Sequence, residues 1–253
     1  MFSGFYTAAS GMLTQQKILN TQANNLANLK TPGFKGERVV TTTFEQEFLN
    51  RLENGRYTPV GHGAPMVLAE DVRTQYDSSV LEQTARELDL AIDGEGFFTI
   101  HTSDDRDMLT RNGSFAIDEE GYLVLPGLGR VQGYKGDIRV ENNKFLVSDD
   151  GVVISENGRE IDSLLISVPA EETKLEKFPN GMYAADKTGL TDDGLEFIDR
   201  PRVKQGFLER SNVDMNRELT AMIETQRNFQ SCNNALKIID TMNQKTASTL
   251  GSI

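Results

Sequence analysis

At 253 residues and 28.1 kDa the chain can bury one large or two modest cores, and its 38% hydrophobic and 25% charged residues make an ordinary soluble composition. A formal charge of −12 and a pI near 4.7 exclude nucleic acid and anionic lipid as main partners, because both are held by basic surface. The single cysteine, Cys232, excludes an internal disulfide and a Cys-based zinc cage.

The charge is unevenly placed. Residues 1–29 carry one charged side chain, Lys17, and residues 211–253 balance Asp214, Glu218, Glu224 and Asp240 against Arg217, Arg227, Lys237 and Lys245. The ends sum to about +1, so residues 30–210 carry −13. That partition suggests a solvated body with two terminal segments made to be packed against something. The first residues lack a basic region and an unbroken apolar run, because Ser3, Gly4, Thr7, Ser10 and Gly11 interrupt Met1 to Leu13. No run approaches the length of a membrane span. The expectation is a cytosolic protein, or one exported without cleavage of a signal, and no membrane insertion.

In chain order, the first predicted element is a helix over residues 2–29. Phe5, Met12, Leu19 and Leu26 recur every seven positions, flanked by Phe2, Ala9 and Ala23, which is a helix seam. Gly4, Gly11 and the Thr, Ser and Asn content lower its intrinsic helicity, so such a helix needs partners to be fully ordered. It must stop before Pro32, which disfavours helical geometry at Thr31. Pro32-Gly33 fits the centre of a turn over Thr31 to Phe34, with Gly33 taking positive φ. The turn leaves the Asn-rich run before it unexplained.

Residues 36–87 are the least legible. Phe44, Phe48, Leu49 and Leu52 suggest a short amphipathic helix, after which Gly55, Pro59, Gly61, Gly63 and Pro65 break regular structure. From Leu88 to Leu208, short β-prone runs alternate with turn dipeptides. The runs are 97–100, 122–125, 138–140, 152–154 and 164–168. The dipeptides are Asp93-Gly94, Asn112-Gly113, Glu120-Gly121, Asp150-Gly151, Asn157-Gly158, Asn180-Gly181 and Asp193-Gly194. This pattern predicts an antiparallel sandwich or open barrel. The final element is a helix whose start is read at Ser211-Asn212-Val213-Asp214, a hydroxyl cap with an acid three residues on. Met215, Met222, Phe229 and Leu236 form its seam, flanked by Leu219, Gln226, Asn233 and Asp240. Amides at Gln16, Gln226 and Asn233 weaken packing but can specify register and partner number.

The chain offers little for catalysis. His62 is read in a Gly-rich loop and His101 at a strand end, with no HExxH motif, cysteine partner or nucleophile elbow. Asp93 and Glu95 flank Gly94 in a turn, where acids are common for backbone reasons. Asp104, Asp105 and Asp107 lack the glycine and distal glutamate of a calcium loop. No catalytic residue, cofactor or metal site is expected. Two classes stay open on the residues alone. One is a structural subunit that polymerises through its terminal helices; the other is a soluble β-rich secreted hydrolase or binding module whose helical ends close the fold.

The run NNLANLKTPGFK over residues 24–35, with Asn24, Asn25, Asn28, Thr31, Pro32, Gly33 and Phe34, resembles the N-terminal signature of the bacterial flagellar rod and hook proteins, the axial family of the basal body. Further stretches carry the same resemblance in order: LDLAIDGEGFF at 88–98, TRNGSF at 110–115 with 118–122, QGFLERSNV at 205–213 and ETQRNF at 224–229. The resemblance is closest to the distal rod subunit, with the proximal rod or a rod–hook homologue as the alternative. It implies an α+β fold in which long N- and C-terminal helices pair as a coiled coil beside a central antiparallel all-β domain. The implied division is 1–35 for the axial helix and turn, 36–87 for a connection that helps subunits contact their neighbours, 88–208 for an outward-facing β domain and 209–253 for the second axial helix. Phe5, Met12, Leu19, Leu26, Met215, Leu219, Met222, Phe229 and Leu236 would then carry assembly. Implied partners are copies of the chain in a helical polymer, other rod and hook proteins, and the flagellar export apparatus. The implied location is the extracytoplasmic basal body.

Overall fold

The structure, a computed structural model, describes residues 2–43, 48–53, 56–62, 67–102, 104, 106–140, 144–169, 175–178, 180–185, 195–198 and 200–250. It divides into two compact units that cut across the four segments expected from sequence. One comprises residues 1–27, 36–75 and 213–253; the other comprises 28–35 and 76–212.

The first unit is built on two helices, α1 (Phe2–Ala27) and α2 (Met215–Leu250). Helix α1 has no acid in its first turn and no base in its last, so its macrodipole is uncompensated and tertiary packing must hold it. The start of α2 corrects the sequence reading. The cap is Asp214, whose Oδ1 accepts from the backbone N–H groups of Asn216 at 2.8 Å and Arg217 at 3.3 Å. Ser211 stays outside the helix, its carbonyl accepting from the Ser79 hydroxyl. The carboxylate nearer the helix satisfies two orphan donors and meets the positive helix end, which a hydroxyl further back cannot do.

Residues 36–75 contribute strands. Glu37–Thr43 pairs antiparallel with Val67–Thr74, and Phe48–Glu53 pairs antiparallel with Arg56–His62. The amphipathic helix expected near Phe44 to Leu52 is therefore corrected to a hairpin strand from Phe48 onward; Phe44 lies outside the described residues. A short apolar run does not distinguish the two periodicities, and cross-strand pairing decides. The same hairpin corrects the expected breakage by Pro59 and Gly61 and the loop placement of His62. All three lie in the strand Arg56–His62, with Pro59 opposite Asn50 where the register shifts and a missing N–H is tolerated.

The second unit is an antiparallel β body. Its central strand, Phe97–Thr102, pairs with Arg106–Thr110 on one edge and with Gly129–Gly133 and Ile166–Pro169 end to end on the other. A separate three-stranded sheet joins Phe145–Val147, Val152–Ser155 and Glu160–Ser163. Both sheets feed one core, in which Phe98, Ile100, Leu123 and Val131 pack with Phe145, Val147 and Val153. Leu90, Ile92 and Val203 close it from the paired strands Leu90–Ile92 and Val203–Gln205.

Glycines at 94, 121, 151, 158 and 181 take positive φ, as the expected turns require. Asn112-Gly113 departs from that reading. Gly113 has no positive φ, and the Leu90 carbonyl lies where its Cβ would be, so this glycine admits a neighbouring backbone. The run 138–140 follows the regular strand Gly136–Asp137 and pairs antiparallel with residues 121–123 through an isolated Tyr122–Arg139 bridge, with the Leu123 N–H donating to the Ile138 carbonyl and the Val140 N–H to the Gly121 carbonyl. Asp193-Gly194 lies outside the described residues.

Candidate functional site: the helix pair and the anchored turn

Helices α1 and α2 lie antiparallel, side by side. A Cβ on Gly4 would sit 3.8 Å from Ile239 Cδ1, and one on Gly11 would sit 3.5 Å from Cys232 Sγ. Asn25 Nδ2 lies 3.5 Å from Glu218 Oε1. Each seven-residue step along α1 is matched by an equal step backward along α2. On α1 the facing row is thus Gly4, Gly11, the half-buried Ile18 and Asn25, and on α2 it is Ile239, Cys232, Thr225 and Glu218; Thr14, Thr21 and Thr225 are buried. Small and hydroxylated residues let the backbones approach, and the hydroxyls need no partner across the interface. Thr21 Oγ1 donates to the Lys17 carbonyl and Thr225 Oγ1 to the Ala221 carbonyl, so their burial is satisfied within each helix.

The nine residues expected to carry assembly lie beside this row. Phe5 and Met215 are exposed, while Met12, Leu19, Leu26, Leu219, Met222, Phe229 and Leu236 are half-buried. One position of rotation is about 100° on a helix, so a row shifted by one residue flanks the contact face and is only partly covered. Beyond it, large apolar side chains reach solvent: Leu13 is 67% exposed, Ile238 and Met242 are each 61% exposed, and Tyr6 and Ile223 are more than half exposed.

The Asn-rich run acquires a role in part. Asn25 Nδ2 donates to the Glu37 carbonyl at 2.8 Å, while the Glu37 N–H donates to Asn25 Oδ1 at 2.9 Å. This two-point clamp joins the last turn of α1 to the strand Glu37–Thr43, and only an amide offers both a donor and an acceptor in that geometry. Asn28 serves the turn: its carbonyl accepts from the Thr31 N–H, and its Oδ1 accepts from the Thr31 hydroxyl at 3.2 Å. Asn24 is exposed.

In the β body, the turn closes with the Phe34 N–H bonded to the Thr31 carbonyl, Pro32 and Gly33 between them, and Gly33 at φ 67°. A Cβ on Gly33 would lie 2.3 Å from the backbone carbon and oxygen of Arg111, so the position needs glycine for space as well as for φ. Gly33 N–H donates to the Glu209 carbonyl, and the Phe34 carbonyl accepts from the Asn212 N–H. Phe34 is buried, and Lys177 Nζ lies 3.8 Å from its ring centroid while donating to the Lys35 carbonyl at 2.7 Å.

Beneath the turn lies a charged cluster that sequence reasoning missed. Lys35 Nζ donates to Glu209 Oε1 at 2.7 Å and to the Asp77 carbonyl at 2.8 Å. Arg111 Nη1 donates to Glu209 Oε2 at 3.2 Å, and Nη2 donates to the Gly94 carbonyl. The Ser79 N–H also donates to Glu209 Oε1. All three charged side chains are buried, and burial holds the Lys35 ammonium below its ordinary pKa despite the Glu209 carboxylate. Lys35, Arg111 and Glu209 stand in three of the motif stretches noted from sequence; an unassigned charge in each was the available signal.

Groups considered for chemistry are engaged elsewhere. His101 Nδ1 lies 2.7 Å from Asp107 Oδ1, Asp104 faces Arg106, and Asp93 pairs with Lys204, which holds the Asp93 carboxyl below its usual range. A groove of about 680 Å³ beside His101 is lined by Leu125, Leu128, Arg130 and Asp137, among others, with no serine or cysteine among the described residues. Among the described residues no group of three His, Cys, Asp or Glu side chains could hold a metal ion. No helix among them is long and apolar enough to cross a membrane.

The arrangement is that of an architectural subunit: a long helix pair with apolar side chains still exposed, and a β body whose buried charges secure the chain rather than face a cleft. Residues 5–35 match the family of flagella basal body rod proteins, residues 91–182 the D1 domain of the flagellar hook protein FlgE/F/G family, and residues 204–250 the C-terminal domain of the flagellar basal body rod FlgEFG proteins. The chain is 32% identical over 267 residues to the flagellar basal-body rod protein FlgG of Bacillus subtilis, covering 96% of both chains. It is 29% identical over 272 residues to the FlgG of Borreliella burgdorferi, with the same coverage. The flagellar basal-body rod protein FlgF of Caulobacter vibrioides is 26% identical over the full length of both. The chain belongs to the flagellar basal-body rod and hook protein family.

Proposed function

We propose that this chain is a structural subunit of the bacterial flagellar basal-body rod, stacking through its terminal helices into a helical tube that transmits torque to the hook. The observation that carries this reading is the set of exposed apolar side chains, Tyr6, Leu13, Ile223, Ile238 and Met242, on a helix pair whose facing row brings Gly4 and Gly11 of α1 against Ile239 and Cys232 of α2. A pair that spends its small residues internally keeps its large ones for neighbours, and burying each contributes roughly 1.5 to 3 kcal/mol. In this reading the helices of assembled copies wind as a coiled coil in an inner layer and the acidic body faces outward. Partners are copies of the chain and adjoining rod and hook proteins. Delivery is by the flagellar export apparatus without signal cleavage, to an extracytoplasmic site.

The first two relatives reported, both named FlgG, support a distal position in the rod. The proximal rod or a rod–hook homologue is the second reading, supported by the full-length match to FlgF and by a 25% identical full-length match to the hook-basal body complex protein FlhO of Bacillus subtilis. Electron microscopy of concentrated protein tests the proposal. Tubes of uniform width are expected, and Leu19→Asp or Phe229→Asp should abolish them while the β body melts as before. Either variant unfolding residues 76–212 would place these helices in a monomeric core and remove the assembly mechanism.

A further inference from the structure

Five charged side chains are buried among the described residues, and three of them, Lys35, Arg111 and Glu209, meet in one cluster. The cluster is unbalanced, with two cations on one carboxylate. Glu209 gives one oxygen to each cation, and Arg111 Nε is left buried with no hydrogen-bond partner. Lys177 adds a further positive charge on the main chain of the same turn. The further carboxylates acting on the cluster, Asp77 towards Lys35 and Glu95 towards Arg111, are exposed and solvated. Their attraction is therefore screened.

A buried pair repays its desolvation only when the charges balance, and an extra buried cation adds desolvation cost without its own counter-charge. Several bonds that hold residues 31–35 to the body pass near this point: the Gly33 to Glu209 and Asn212 to Phe34 backbone bonds, and the Lys35 bonds to Glu209 and Asp77; Lys177 and the burial of Phe34 add to them. The larger sheet core, with Phe98, Ile100, Val131, Phe145 and Val153, includes none of these residues, whereas the small cluster of Phe97, Leu109 and Tyr183 borders the site, the Arg111 guanidinium standing 5.3 Å from the Phe97 ring centroid. We propose that the Lys35–Glu209–Arg111 cluster is an overcharged latch, a release point at which residues 28–35 detach from the strand Phe207–Glu209 and from Arg111 while the sheet core stays folded. The released segment runs directly into α1, so the root of that helix loosens without melting the body. This holds independently of how the helices assemble.

Hydrogen–deuterium exchange of the full chain at neutral pH tests the latch. Peptides covering 28–36 and 207–212 should exchange together, at least about tenfold faster than peptides from 129–133 and 145–153. Glu209→Gln leaves two buried cations without an anion and should accelerate the latch peptides by a further factor of about ten or more, with the core peptides unchanged. Lys35→Met leaves a balanced Arg111–Glu209 pair and should accelerate them less than about threefold, or slow them. Latch peptides exchanging at the core rate in the unmodified chain would overturn the proposal. So would a Glu209→Gln effect that is absent or spread equally to the core, or a Lys35→Met acceleration of threefold or more.

Discussion

Leu13→Asp separates the two jobs a terminal helix can do. Leu13 is 67% exposed on α1, so the isolated chain has buried only a third of its side-chain surface and loses little when it is replaced. Helix propensity adds a few tenths of a kcal/mol, and the monomer should lose under about 1 kcal/mol in a urea titration. In a polymer the remaining two-thirds of the leucine would be covered, contributing about 1 to 2 kcal/mol per subunit. A carboxylate at the same place must be desolvated, with Lys17, one turn on and the only charged side chain of α1, as its one ion-pair partner on that helix; such a surface pair returns only a few tenths of a kcal/mol, so burial still costs a further few kcal/mol. Together these raise the critical concentration for assembly by roughly a hundredfold or more, at about 1.4 kcal/mol per factor of ten. Sedimentation of serial dilutions, with microscopy of the pellets, reads that concentration directly. Polymer forming at an unchanged concentration would refute the role of the exposed row, and a monomer destabilised by more than about 2 kcal/mol would mean that Leu13 belongs to the chain's own packing.

Gly33→Ala should cost roughly 2 kcal/mol or more in urea denaturation, since φ is positive and the new methyl meets the Arg111 backbone; a loss under about 0.5 kcal/mol would contradict the geometry. Asn25→Ala removes both hydrogen bonds to Glu37 and should cost about 1 to 3 kcal/mol, read as faster amide exchange over residues 37–43 than over the β body; unchanged exchange there would dismiss the clamp. Stability of the β body should rise with pH. Lys35 faces Glu209, Arg111 and Asp77 and binds its proton more weakly when folded, so between its lowered folded value and the ordinary 10.5 the unfolded chain holds more protons. Chemical denaturation across that alkaline window, with Lys35→Met as the control that flattens this contribution, checks the sign; a fall with pH that Lys35→Met abolishes would reverse it.

Local chemistry made much of this fold readable. Helix α1 stops at Ala27, ahead of Pro32, which cannot continue a helix, and Gly33 takes the positive φ expected of the turn. Asp-Gly, Glu-Gly and Asn-Gly pairs placed most of the reversals in the body. Failures arose where tertiary contact decides. Phe48 to Leu52 reads equally as about a turn and a half of helix or a strand, and only the facing segment Arg56–His62 settles it. Gly113 looked like a turn glycine and is instead a gap filled by the Leu90 carbonyl. Lys35, Arg111 and Glu209 are 76 and 98 residues apart in successive steps, so no window of sequence could show that they share one buried site.

The helix seams show a subtler limit. A seven-residue repeat states that some row of a helix faces something, but several rows of α1 repeat with that period at once: Gly4, Gly11, Ile18 and Asn25 in one, Phe5, Met12, Leu19 and Leu26 in the next, Tyr6 and Leu13 beyond. Hydrophobicity selects the second and third rows, whereas the structure gives the first to α2. Small residues allow closer backbone approach, and their hydroxyls are satisfied within the helix, so the pair can form without its largest side chains. If the large residues were meant only for the intramolecular pair, the helices would be rotated to bring Leu13 and Ile238 inward. Leaving them outside incurs a solvation penalty in the isolated chain, which an assembled neighbour would remove.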